Sequence, residues 1–236
     1  MNYDNPAARL LSLLKEGKMC LPGTSCLEVW NDLLNANGDT SLLMSRLGKV
    51  MELSRETVLA LEATYPDQGN TWSHWEAQVN TAFMVQNLHA TWESFIKHID
   101  THSINYLTMS ASLLQAKMTT KLIANGDLST LRAALDQILV DVLAHEQPEE
   151  VRKYLVRSLR RLITSIEEYR LTGTPPLLDA IESSLGHAAV DRAYKSFLTD
   201  TEVGKRLLDT LASMANFVTV SVGIPQLSQA IALLVR

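Results

Sequence analysis

Cysteine, glycine, proline and aromatic residues are all scarce in this chain of 236 residues, and one long stretch near its end carries no charge. There are two cysteines, Cys20 and Cys26. Two thiolates cannot close a tetrahedral zinc site by themselves. Reduced thiols in a loop and at a helix start are expected, with a disulfide or thiol sensor as the alternative. The low glycine and proline content, together with an apolar side dominated by Leu, Ala and Met over Val, Tyr and Phe, favours helix over sheet.

Other absences bear on function. The chain has no glycine-rich phosphate loop, no dinucleotide fingerprint and no Gly-x-Ser-x-Gly elbow. No basic n-region or long apolar h-region opens the sequence, so residence in the cytoplasm is expected. A net charge of −5 gives no global attraction to nucleic acid or anionic lipid. Apolar residues make up 46% and charged residues 20%, the composition of a globular chain and not of a disordered one.

What is present is helical periodicity nearly throughout. Asn5 and Pro6 can open a helix carrying Leu10, Leu11, Leu13 and Leu14. Ser25 and Glu28 fit a capping box before Trp30, and Asn37-Gly38 closes that helix. Two more short helices are expected near 40–52 and from a Ser54 cap to Tyr65, before a break at 66–70. Residues 1–66 thus read as an N-terminal unit of four short helices, and 71–236 as a helical bundle, the two forming either separate domains or one continuous one.

Segment 71–100 has two apolar stripes on opposite faces, Trp72, Trp75, Val79 and Phe83 against Val85, Leu88, Trp92, Phe95, Ile96 and Ile99. A long central helix packed on both sides is expected, with a bend near residue 84 as the alternative. Asp100-Thr101 can cap the next helix, whose stripe runs from Ile104 to Leu122, with Asn125-Gly126 as its stop and Asp127 as the following cap. Leu128, Leu131, Leu135, Ile138 and Val142 then match Val151, Leu155, Leu159, Leu162 and Ile166 across a short link at Pro148, the pattern of a helical hairpin. Thr174-Pro175 opens another helix, a short one holds Tyr194 and Phe197, and Thr199-Asp200-Thr201-Glu202 offers a capping box for the last. The expected fold class is all-α, a multi-helix bundle of about 8–10 helices.

The uncharged run, Thr210 to Val235, must be hidden from water. Burial of two helices separated at Gly223-Ile224-Pro225 is the preferred reading. A protein interface, including a homo-oligomer, and membrane insertion through 206–236 are the alternatives. Against insertion stand Asn216, Gln226, Gln229, the central Gly and Pro, and the missing aromatic belt. The β-branched stretch 216–222 also leaves room for a short strand.

Two constellations could carry chemistry. Lys153, Arg157, Arg160 and Arg161 project onto one face of their helix, opposite the apolar stripe, with no acid among them. They form a candidate site for an acidic partner or an anion; no row of interleaved aromatics is present, so nucleic acid is not expected. His98 and His102 have i,i+4 spacing, which on one helix would let two imidazoles share a metal, with Asp100 and Glu93 as the nearest further ligands. The preferred functional expectation is a non-enzymatic cytoplasmic interaction or regulatory protein with a protein partner and no cofactor. An immunity, adaptor or regulatory component of a bacterial toxin or defence system would fit. A membrane-active effector and a metal-dependent helical enzyme using His98 and His102 are the alternatives.

Overall fold

A computed structural model describes residues 4–68, 71–118 and 120–222, and the fold is all-α. Twelve α-helices and one 3-10 turn make up the described residues, and the chain divides into two compact units, Met1–Thr119 and Thr120–Arg236.

The first unit holds α1 (Pro6–Met19), α2 (Cys26–Leu33), α3 (Thr40–Thr64), α4 (Ser73–Val85), α5 (Glu93–Ile96) and α6 (Thr101–Lys117). Asn5 caps α1 as its position predicts: its side chain accepts from Ala8 N at 2.9 Å, and Pro6 takes the first turn. The same buried amide donates to Ala111 O on α6, so the cap also ties two helices together. Since α4 and α6 pack against α3, and α6 also against α1, the segment after residue 66 completes this unit. The division therefore falls later than the break at 66–70.

Three local expectations change here. The two short helices of 40–65 are one 25-residue helix, α3, in which Ser54 is buried mid-helix and not a cap. The long central helix of 71–100 is two helices: α4 carries Trp75, Val79 and Phe83 of the first stripe, and the four-residue α5 carries Phe95 and Ile96 of the second. Between them the chain leaves helical geometry to pair with the segment that leads into α2 and with its first residues: Cys26 N donates to Ala90 O, Leu27 N to Leu88 O and Trp92 N to Thr24 O. Ser25 lies in that pairing, opposite Thr91, and its hydroxyl makes no capping bond.

Aromatic packing closes the unit. Trp30, Phe83, Trp92 and Phe95 form one cluster with centroid separations of 4.9–6.0 Å. Trp92 Nε1 donates to Gly17 O at 2.8 Å, and a Cβ at Gly17 would lie 2.9 Å from the same indole. Glycine is what lets the ring approach the helix this closely. Both cysteines are free thiols; burial pushes each up from the ordinary thiol range.

The second unit holds α7 (Asn125–Ala144), α8 (Glu149–Glu167), α9 (Tyr169–Thr172), α10 (Thr174–Val190), α11 (Arg192–Asp200) and α12 (Glu202–Val222). α6 stops at Lys117, earlier than its stripe suggests, and Asn125 and Gly126 lie inside the first turn of α7. The α7 and α8 stripes meet as an antiparallel hairpin joined by His145–Pro148, with Arg132 near the start of α7 reaching Glu167 at the end of α8 at 2.8 Å. Leu135, Leu155, Leu159, Leu162, Leu177, Ile181 and Leu211 are fully buried in its core. Thr201 alone joins α11 to α12, and at Gly204 in the first turn of α12 a Cβ would lie 1.9 Å from Phe197 O, so no larger residue fits without moving backbone. Thr201 caps α12, its hydroxyl accepting from Gly204 N.

The uncharged run begins inside α12. Leu207, Leu208, Leu211, Met214, Ala215 and Val218 are buried against α7, α10 and α11, which corrects the strand alternative for 216–222. Residues 223–236, with the expected Pro225 break and closing helix, lie outside the described residues. Among the described residues no helix is long and apolar enough to cross a membrane.

Candidate functional site

The amphipathic pattern of α8 sets its orientation. Val151, Leu155, Leu159, Leu162 and Ile166 enter the core, which forces Lys153, Arg157, Arg160 and Arg161 to the outer face. All four line one groove of about 960 Å³ that runs along α8 from Leu143 at the end of α7 to Pro176 and Ala180 on α10. Arg152 adds a fifth cation, while Glu168 and Asp179 are the acidic side chains of the lining. Five cations within residues 152–161 outnumber these two carboxylates in the lining.

The four cations are not equivalent. Lys153 pairs backwards with Glu149 at 2.8 Å and Glu150 at 3.4 Å, and these bonds raise its pKa. Pairing at i−4 and i−3 thus relieves part of the like-charge repulsion, a contribution that a search for acids within the cluster misses. Among the described residues, Arg157, Arg160 and Arg161 have no carboxylate within ion-pair distance; Arg161 reaches only the Ser183 hydroxyl, at 3.4 Å.

An aromatic stack lies under this face. The Arg157 guanidinium carbon sits 5.4 Å from the Tyr154 ring centroid, within cation–π range. Tyr154 stacks on His187 at 3.5 Å and meets Tyr194 edge-on at 4.8 Å. Tyr154 donates to Ser183 O at 3.0 Å, and burial raises its phenol pKa despite that bond. Tyr194 is fully buried and shares a 2.7 Å hydrogen bond with Ser184, burial pushing its hydroxyl far up. His187 pairs with Asp191 at 3.2 Å. The Tyr194 and Ala193 backbone N–H groups, the former foremost, hold that carboxyl below its ordinary range. Charge periodicity reveals the basic row, whereas this stack joins α8, α10 and α11 and no local pattern announces it.

The histidine pair is arranged differently from its spacing on paper. Asp100 caps α6, accepting from Ser103 N, and this ends the helical path between His98 and His102. His98 lies in the turn after α5, half-buried, and its Nε2 makes no hydrogen bond among the described residues. His102 is exposed in the first turn of α6, its ring 6.3 Å from that of His74. Asp100 is engaged with His74 at 3.0 Å. Among the described residues no group of three His, Cys, Asp or Glu side chains is placed to hold a metal ion.

Comparison with protein-family models, with curated proteins and with solved structures finds no match to this chain.

Proposed function

We propose that this chain is a non-enzymatic interaction protein that binds an acidic partner protein along the outer face of α8. The observation that carries this reading is the row Arg157, Arg160 and Arg161, exposed on one groove without a carboxylate partner among the described residues. Three uncompensated guanidinium groups on adjacent turns repel one another, and an incoming row of carboxylates would relieve that repulsion with charge-assisted, bidentate bonds. Single-stranded nucleic acid fits less well, because the one aromatic ring at this face is already occupied by Arg157 and His187. We read the setting as cytoplasmic, with an immunity, adaptor or regulatory role in a bacterial toxin or defence system as the context that suits a small helical binder.

The test is affinity capture from extracts of the source cells with three baits: wild type, Arg157→Glu/Arg160→Glu/Arg161→Glu, and Lys15→Glu on α1 as the control. The expected result is a protein with an acidic segment that is held by wild type and the control, lost by the triple variant, and released when its acidic segment is deleted. Equal capture by all three baits contradicts the reading.

A further inference from the structure

Beside the cation row runs a ledge of exposed apolar side chains. Lys153, Arg157 and then Arg160 or Arg161 stand on successive turns of α8, about 6 Å apart at 1.5 Å rise per residue. On the neighbouring α7, Val140 and Leu143 are 58% and 55% exposed, although the helix has a complete buried stripe of its own. Their i,i+3 spacing sets them on one face. Leu143 lines the same groove as Arg152, Lys153 and half-buried Val156, so this end of the ledge opens onto the cations, with Val140 one turn back on the same face of α7.

The chemistry of the ligand follows from this pairing of surfaces. Inorganic phosphate, or a purely acidic segment, would satisfy the arginines and leave the ledge in water. A ligand with carboxylates along one edge and aliphatic side chains along the other would cover both. We infer that the partner element is an acidic amphipathic segment, its carboxylates on Arg157, Arg160 and Arg161 and its aliphatic side chains on Val140, Leu143 and Val156. The inference rests on the reading of this face as an acidic-partner site.

Two labelled synthetic peptides separate the inference from that reading. One alternates blocks of glutamate and leucine; the other has each leucine replaced by serine. Both are titrated with the full chain as wild type, as Val140→Ser/Leu143→Ser, and as Arg157→Glu/Arg160→Glu/Arg161→Glu. Wild type is expected to bind the leucine peptide about tenfold more tightly, the scale of partly burying two aliphatic side chains. The ledge variant should lose that advantage and keep its affinity for the serine peptide, which also shows that it is folded. The charge variant should lose both. Equal affinity of wild type for the two peptides, or a leucine advantage that survives in the ledge variant, overturns the inference and leaves the acidic-partner reading standing. Failure of wild type to bind either peptide overturns both.

Discussion

In the first unit the best-placed arginines turn inward. Arg9 pairs with Asp4 and lies 3.9 Å from Glu56, while Arg46, only 4% exposed, donates to the Leu34 and Asn35 carbonyls at 2.9 and 2.8 Å. In the second unit Arg157, Arg160 and Arg161 turn outward over a groove. The same side chain is a structural strut in one unit and a presented charge in the other. The difference teaches where to look for a partner: a guanidinium buried against backbone carbonyls is out of a partner's reach, whereas those of α8 are exposed to incoming carboxylates.

The cores differ in a parallel way. The first is built around Trp30, Trp75, Trp92 and Phe95 and is cross-tied by long-range side chain–backbone bonds, including Asn5 to Ala111, Tyr65 to Leu113 and Trp92 to Gly17. The second is an aliphatic bundle; its comparable bonds include Ile123 N to the Tyr169 hydroxyl, the Ser221 hydroxyl to Lys121 O and the Tyr154 hydroxyl to Ser183 O. Hydrogen exchange read separately over each unit can break or sharpen this contrast. Leu159→Ala, at a fully buried position in the middle of α8, should cost about 2–5 kcal/mol of protection in the second unit. Arg46→Met keeps most of the stem volume but strips the buried Leu34 carbonyl and the half-buried Asn35 carbonyl of their donor, so the first unit should lose about 2 kcal/mol. If Arg46→Met costs no more than an ordinary surface change, the picture of a cross-tied first unit fails.

A smaller effect concerns acid. Burial opposes ionisation of Asp100, but bonds from Ser103 N and from His74 outweigh it and bring its pKa down to about 2, against an ordinary 3.8. Because the folded value is the lower one, the stabilisation is complete above about pH 4 and is lost as pH falls towards 2. Asp100→Asn still caps α6 but cannot titrate. The protection that wild type has over Asp100→Asn in the first turns of α6 should therefore shrink to nothing across that window. A difference independent of pH would remove the carboxylate from the account.

How far the sequence could be read follows the same division. In the second unit α7, α8 and α10 have uninterrupted stripes facing one aliphatic core, so Leu128–Val142 and Val151–Ile166 identify their partners by spacing alone, and the basic face of α8 emerges as the remainder. In the first unit long-range contacts override local pattern. Ser54 resembles a cap but is absorbed into α3, because Leu53, Thr57 and Leu61 continue a buried face through it. The two stripes of 71–100 resemble one two-sided helix until the pairing of residues 88–93 with 22–27 separates them. The spacing of His98 and His102 has no helical meaning once Asp100 caps α6. The Arg157–Tyr154–His187 stack draws on residues more than thirty positions apart, and no window of sequence contains it.

The measurement closest to the central claim is the binding of an all-glutamate peptide to the full chain as salt is raised. The account predicts measurable affinity at low ionic strength that falls as salt screens the contact, the same behaviour in Lys15→Glu, and no binding in Arg157→Glu/Arg160→Glu/Arg161→Glu. Binding by the triple variant at wild-type affinity would contradict it.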